Sequence, residues 1–286
     1  MTTILSFFKG RARAFGPLSR FGLVITLLVF AIALFAPLFA PYELQYVDIT
    51  RQLEAPSGAH WLGTDENGAD VLTHLLYGAR VAVLVGLSTV GICSFVGIVL
   101  GSISGYFGGW VDEIIMRVTE ILMAFPGILL AILLIFITQE PSLLAVIGAL
   151  SVSGWAGYAR LVRGQILSER ERDYVEAGKA LGYPDRKILF VHILPNIMAP
   201  VIVQATFGVA GAILAEASLS FLGLGPQNTT SWGSLLDQGA SYFLLTPYLA
   251  IFPGVAIMIT VLGINFLGDG LRDMLDTRRG IEPTDH

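Results

Sequence analysis

Charge is what this sequence has least of. Only 14% of its 286 residues are Asp, Glu, Lys or Arg, while 54% are hydrophobic. Ordinary soluble domains carry about a quarter charged residues. A soluble fold of this length could not hide so much apolar surface, because much of any folded surface must be wetted. The deficit excludes a soluble globular enzyme, a nucleic-acid-binding protein and a disordered chain. Cysteine is scarcer still: Cys93 stands alone. It can build neither an internal disulfide nor a cysteine metal site, and its apolar neighbourhood reads as that of a small buried hydrophobe.

Several chemistries are missing as motifs. A phosphate-binding loop fails because Gly178-Lys179 is followed by Ala180, which has no hydroxyl for magnesium, and the upstream glycine is absent. The histidines His60, His74, His192 and His286 are scattered, so none pair at helical spacing to hold zinc. Gly101-Ser102-Ile103-Ser104-Gly105 lacks the spacing of a hydrolase nucleophile. Asp65 to Asp70 look like a calcium loop only superficially, with the ligand spacing broken. The expectation is a chain with no catalytic residue, no metal site and no cofactor of its own.

What is present is long apolar runs. A bilayer core needs about 20 apolar residues in helical form, and such runs occur at 21–40, 81–103, 114–138, 143–162, 197–219 and 248–267. They predict an all-α polytopic membrane protein with six spans. The first run is too long for a signal-peptide core and no small-residue cleavage pattern ends it, so it reads as an uncleaved anchor. Basic residues orient the bundle. Lys9, Arg11, Arg13 and Arg20 precede the first span, seven fall in or beside 163–196, and Arg272, Arg278 and Arg279 follow the last. The other side carries Arg51 and, at a helix end, Arg80. The positive-inside rule then makes both termini cytoplasmic. The expected organisation is a cytoplasmic segment 1–20, a first span 21–40, an outer segment 41–79, a five-helix core 80–276 with a cytoplasmic loop 163–196, and a cytoplasmic tail 277–286.

Within that loop, residues 172–181 read as a short helix with Tyr174, Ala177 and Leu181 on one apolar face. Gly182 suits a left-handed turn at its end, and Pro184 prevents continuation. The helix either folds against the bilayer or seats its apolar edge in the groove of another protein. The small residues Ala177, Gly178 and Ala180 would permit close approach of a second backbone.

Glu176-Ala177-Gly178, then Gly182, then Leu194-Pro195 resemble the E-A-A-x(3)-G-x(9)-I-x-L-P motif of bacterial ABC importer permeases. Gly178 replaces the second alanine and His192 stands at the isoleucine position. His60-Trp61-Leu62-Gly63-Thr64-Asp65, continuing to Gly68, Asp70 and Leu72, is similar to a segment of the dipeptide/oligopeptide permease C subunits, with Ala69 in place of the usual arginine. Residues 215–225 and 268–273 are also similar to that subfamily, and the resemblance covers roughly 20–276. It implies a type I importer permease (MetI-like) core in a bacterial inner membrane. It implies that Asp173, Tyr174, Glu176, Ala177, Gly178, Leu181, Gly182, Leu194 and Pro195 form or support a coupling helix seated on an ATPase. It also implies a second homologous permease subunit, two cytoplasmic ATPases that bind ATP and Mg, and a periplasmic or lipid-anchored solute-binding protein. The cargo implied is di- or oligopeptides; nickel permeases share much of the pattern. A secondary transporter would need inverted repeats, and none is visible.

Other features stay open between roles. Glu113, Arg117 and Glu120 have the spacing of a chain of ion pairs near the cytoplasmic end of the third span, structural or gating. Pro126-Gly127 should kink that span, as a hinge or a static bend. Gly97, Gly101 and Gly105 predict close helix packing. Gln204, Gly208, Ala212 and Glu216 form one stripe of the fifth span, facing a partner helix or an aqueous path. Glu216 is placed near the outer face, as a substrate contact or a structural hydrogen bond, and Asn265 on the sixth span is open in the same way.

Overall fold

The computed structural model describes residues 16–139, 141–226 and 229–275, and everything described is helix, turn or loop apart from one isolated bridge, Thr64 to Asp70. Lys9, Arg11, Arg13, Arg278, Arg279, His286 and the tail 277–286 lie outside the described residues. Among the described residues five helices are long and apolar enough to cross a membrane: α1 (Pro17–Phe39), α2 (Val71–Phe107), α5 (Leu143–Glu169), α9 (Met198–Phe221) and α11 (Tyr248–Leu275). A broken pair, α3 (Gly109–Ala124) and α4 (Gly127–Thr138), makes a sixth span if counted as one. Between them lie α6 (Asp173–Ala180), a turn α7 (Asp185–Lys187), a π-helix over Ile188–Ile193, a turn α8 (Leu194–Asn196) and α10 (Trp232–Ser241).

Small residues decide how the spans meet. The buried positions of α1 are Ser19, Gly22, Thr26, Val29, Ala33 and Ala36, a narrow stripe, while Leu27, Leu34 and Leu38 point outward. In lipid there is no hydrophobic drive between helices, so close backbone approach does the work. A Cβ on Gly22 would lie 2.6 Å from the Gly263 carbonyl oxygen of α11. The predicted stripe of α2 meets α5 in the same manner: a Cβ on Gly101 would lie 2.5 Å from the Ala159 carbonyl, and Gly97 and Gly105 face Tyr158 and Arg163.

Two expectations are met in a stronger form. The second span, expected over 81–103, runs for 37 residues, about 55 Å at 1.5 Å per residue. That exceeds a bilayer core of about 30 Å, so α2 projects beyond it. The expected kink at Pro126 is instead a break of 89°. Phe125, the residue before proline, is pushed into the extended region at φ −89°, ψ 138°, because the proline ring disfavours helical geometry there. Pro126 then caps α4 rather than continuing α3.

Candidate coupling and translocation site

The helix α6 forms where the sequence places it, one residue shorter at each end. Asp173 and Glu176 lie in its first turn and Lys179 in its last, matching the helix dipole. Gly182 has φ +75°. The Gly182 N–H donates to Lys179 O (2.9 Å) and the Tyr183 N–H to Gly178 O (3.0 Å), the paired closure of a Schellman motif. Val175 and Gly178 are its buried residues. Tyr174, Ala177 and Leu181 are exposed, with Leu181 at 71%, so this chain leaves the apolar face uncovered. Glu176 is exposed as well. Leu194 packs against the core beneath α6, and Pro195 is exposed.

Around this helix the neighbouring elements are joined by polar ties that sequence reasoning missed. Arg163 of α5 grips Asp112 of α3 through two bonds of 2.6 Å, and Ser104 of α2 donates to the same carboxylate at 2.5 Å. Arg170 donates to Gly105 O (3.1 Å) and Tyr106 to Asp185 (2.6 Å). The Tyr174 hydroxyl donates to Glu169 (2.8 Å) and accepts from Asn196 (3.4 Å). Partial burial leads the causes that push the Tyr174 phenol above its ordinary pKa. The Tyr183 ring has the Lys187 ammonium 3.6 Å from its centroid and stacks with the His192 ring.

The predicted ion-pair chain is only partly formed. Arg117 meets Glu120 at 3.2 Å with both side chains more than half exposed, and among the described residues Glu113 joins no ion pair. Such pairs are worth little. Asp112, beside Glu113, makes the cross-helix bond instead. It sits one turn after the helix break at Gly108-Gly109, where φ is +66° and +60°.

Beneath the ties runs one apolar cluster. It includes Val175 of α6, Ile188, Leu189 and Ile193 of the π-helix, Val162 and Tyr158 of α5, Cys93 of α2, and Ala212 of α9. Its far end borders a cavity of about 320 Å³ lined by Cys93, Gly127, Tyr158, Gln204, Gly208 and Ala212, among others. Three of the predicted path residues, Gln204, Gly208 and Ala212, therefore share one cavity. Gly208 is where the Tyr158 hydroxyl comes closest, and that hydroxyl donates to Gln204 O at 3.4 Å.

Glu216 and Asn265 do not line this cavity. Glu216 is 1% exposed. It accepts from Ser220 at 2.6 Å and from Ser231 at the start of α10. It clasps two helices. Asn265 is half-buried on α11.

The outer motif folds into a knot. His60 Nδ1 lies 3.0 Å from Asp70 Oδ1, both side chains buried. The other oxygen of Asp70 accepts from Thr73 N and Oγ1 at 2.8 Å, capping α2. Asp65 accepts from the Asn67 and Ala69 amides. Thr64 bonds Arg51 O and the Glu54 N–H. Gly63 and Gly68 take φ +82° and +80°, and a side chain on Gly68 would strike Asp48. Leu62 is half-buried. Tyr248 of α11 ties the knot to the last span through Glu54 O at 2.8 Å.

Comparisons with known proteins fit this layout. Residues 97–281 match the family described as binding-protein-dependent transport system inner membrane component. Residues 17–56 match the N-terminal membrane domain of oligopeptide transport permease C. A dipeptide transport system permease protein of Alkalihalophilus pseudofirmus is 43% identical over 258 residues, covering 90% of this chain and 84% of the relative. An oligopeptide transport system permease protein of Bacillus subtilis is 39% identical over 262 residues (91% and 86%). A glutathione transport system permease protein of Pectobacterium atrosepticum is 42% identical over 259 residues (90% and 85%).

Proposed function

The chain belongs to the family of binding-protein-dependent transport system inner membrane components, and on that premise we propose that it forms half of the pathway carrying di- or oligopeptides inward across a bacterial inner membrane. The peptide cargo is supported by the names of its relatives, which are dipeptide, oligopeptide and glutathione permeases. The pathway's other half is a second, homologous permease subunit. Two cytoplasmic ATPases bind ATP and Mg, and a periplasmic or lipid-anchored binding protein delivers the peptide. Both termini are cytoplasmic, in keeping with the basic residues on that side.

The observation that carries this reading is the apolar cluster joining Val175 of α6 to the cavity lining at Cys93, Tyr158 and Ala212. Packed interiors transmit displacement because they have little free volume to absorb it. The exposed face of Tyr174, Ala177 and Leu181 seats on an ATPase. When the ATPases close on ATP, α6 moves as a lever, and the cluster passes that movement to the helices around the cavity. Gln204, Gly208 and Ala212 then line the path the peptide takes. Glu216 acts as a clasp at its outer end, released or held as α9 and α10 move.

The test is transport by the assembled importer in liposomes, with binding protein outside and ATP at the ATPase face. Labelled dipeptide should accumulate inside only with ATP. Accumulation of nickel ions and not of dipeptides would sink the peptide reading. Uptake driven by a proton or sodium gradient without ATP would sink the importer reading altogether.

A further inference from the structure

We infer that the seam between α1 and α2 is a binding site for one phospholipid, its phosphate held by Arg80 and an acyl chain lying in the groove below. The groove has two parts. The first, of about 530 Å³, runs between Phe30, Leu34 and Phe35 of α1 and Arg80, Leu84 and Leu87 of α2. The second, of about 360 Å³, shares Phe30 and Leu87 with the first and continues past Gly91 to Ser94 and α9. From Arg80 to Ser94 is fourteen residues of helix, about 21 Å at 1.5 Å per residue. One leaflet of a hydrocarbon core is about 15 Å thick, half of roughly 30 Å. The trough therefore extends through one leaflet, the one on the side of residues 41–70.

Charge selects the occupant. Arg80 is exposed at the mouth of an otherwise apolar trough. Among the described residues no carboxylate pairs with it, whereas Arg51, the other cation on that side, is bound to Glu54 at 3.1 Å. A guanidinium matches a phosphate through two parallel bonds, and its stem can lie along the apolar wall. The floor is open at Gly91: nothing lies within 4 Å of where a Cβ there would be. The lipid would seal α1, which meets the rest of the bundle through its small-residue stripe, against the outer half of α2.

Native mass spectrometry of the full chain, released from nanodiscs holding equal phosphatidylglycerol and phosphatidylcholine, tests this. The natural chain should retain phosphatidylglycerol in preference. Arg80→Gln should lower that retention about fivefold, the effect of one basic residue at an anionic surface. Gly91→Phe, whose Cβ meets nothing within 4 Å, should displace both lipids by filling the trough while helix content stays unchanged. Equal retention by the natural chain and either variant would overturn the proposal. So would a Leu84→Cys variant that cross-links to another polypeptide in the assembled importer, because the trough would then hold protein.

Discussion

Residues 41–70 and residues 173–196 lie at opposite ends of the helix bundle and dispose of their polar and apolar groups in opposite ways. In the outer segment the polar side chains of the motif turn inward. His60, Thr64, Asp65 and Asp70 are each at most 2% exposed and bonded to one another or to nearby backbone. In the coupling segment they turn outward, and α6 keeps only Val175 and Gly178 buried. The sequence similarity is strong in both, yet the physical reasons differ. The outer motif is a fold-making device that starts α2 and ties it to α11. The coupling motif is a presented surface whose own fold needs only a good turn at each end.

That contrast can be broken by mutation. Asp70→Ala should have the largest effect on folding. It removes the α2 cap and leaves buried His60 without its partner, a loss of about 3 kcal/mol or more for a buried pair. The check is a thermal melt in detergent, which should drop steeply; an unchanged melt would mean the knot is ornamental. Gly182→Val should have a middling effect on stability and a large one on transport. No atom lies near the new Cβ, so the cost is purely that of φ +75°, about 1–2 kcal/mol and more for a branched residue. ATPase retention should fall while membrane insertion holds. Gly182→Asn should restore most of it, since asparagine tolerates the left-handed region. Equal transport by the natural, Val and Asn chains would reduce α6 to a surface turn. Arg117→Ala should have the smallest effect, under about 1 kcal/mol, because its pair with Glu120 is exposed. A loss of uptake comparable to that of Gly182→Val would place Arg117 in the machinery after all.

The sequence reading reached furthest where a local rule sufficed. The spans follow from length and hydropathy, α6 from its glycine and proline punctuation, and the close packing of α2, though not its partner, from glycines spaced four apart. It stopped at features made by distance. Asp112 and Arg163 are 51 positions apart, and nothing local in either marks the pairing, so the neighbouring triad of Glu113, Arg117 and Glu120 drew attention instead. The helix α10 was missed because ten residues ending at Ser241 are too few and too polar to read as a span. Its start is nonetheless written locally, in the Ser231 and Ser234 side chains that cap each other's backbone. Glu216 reads from its stripe as either a path residue or an outer-face hydrogen bond; its bond from Ser231 comes from beyond α9, which the stripe cannot reveal.

The right-angle break between α3 and α4 has a further consequence, in the backbone donors of the protein. A helix start leaves its first amides without intrahelical acceptors. Here the Leu129 and Leu130 amides close back on Pro126 O at 3.0 and 3.2 Å, and those of Gly127 and Ile128 stay free of such a turn. Hydrocarbon offers them nothing, so irregular backbone at membrane depth survives only against protein or water. Gly127 and Ile128 border the cavity that Gln204 and Gly208 also line. The break thus opens on that cavity and on its protein walls. Backbone donors placed there are ones that no side-chain substitution in the cavity lining removes.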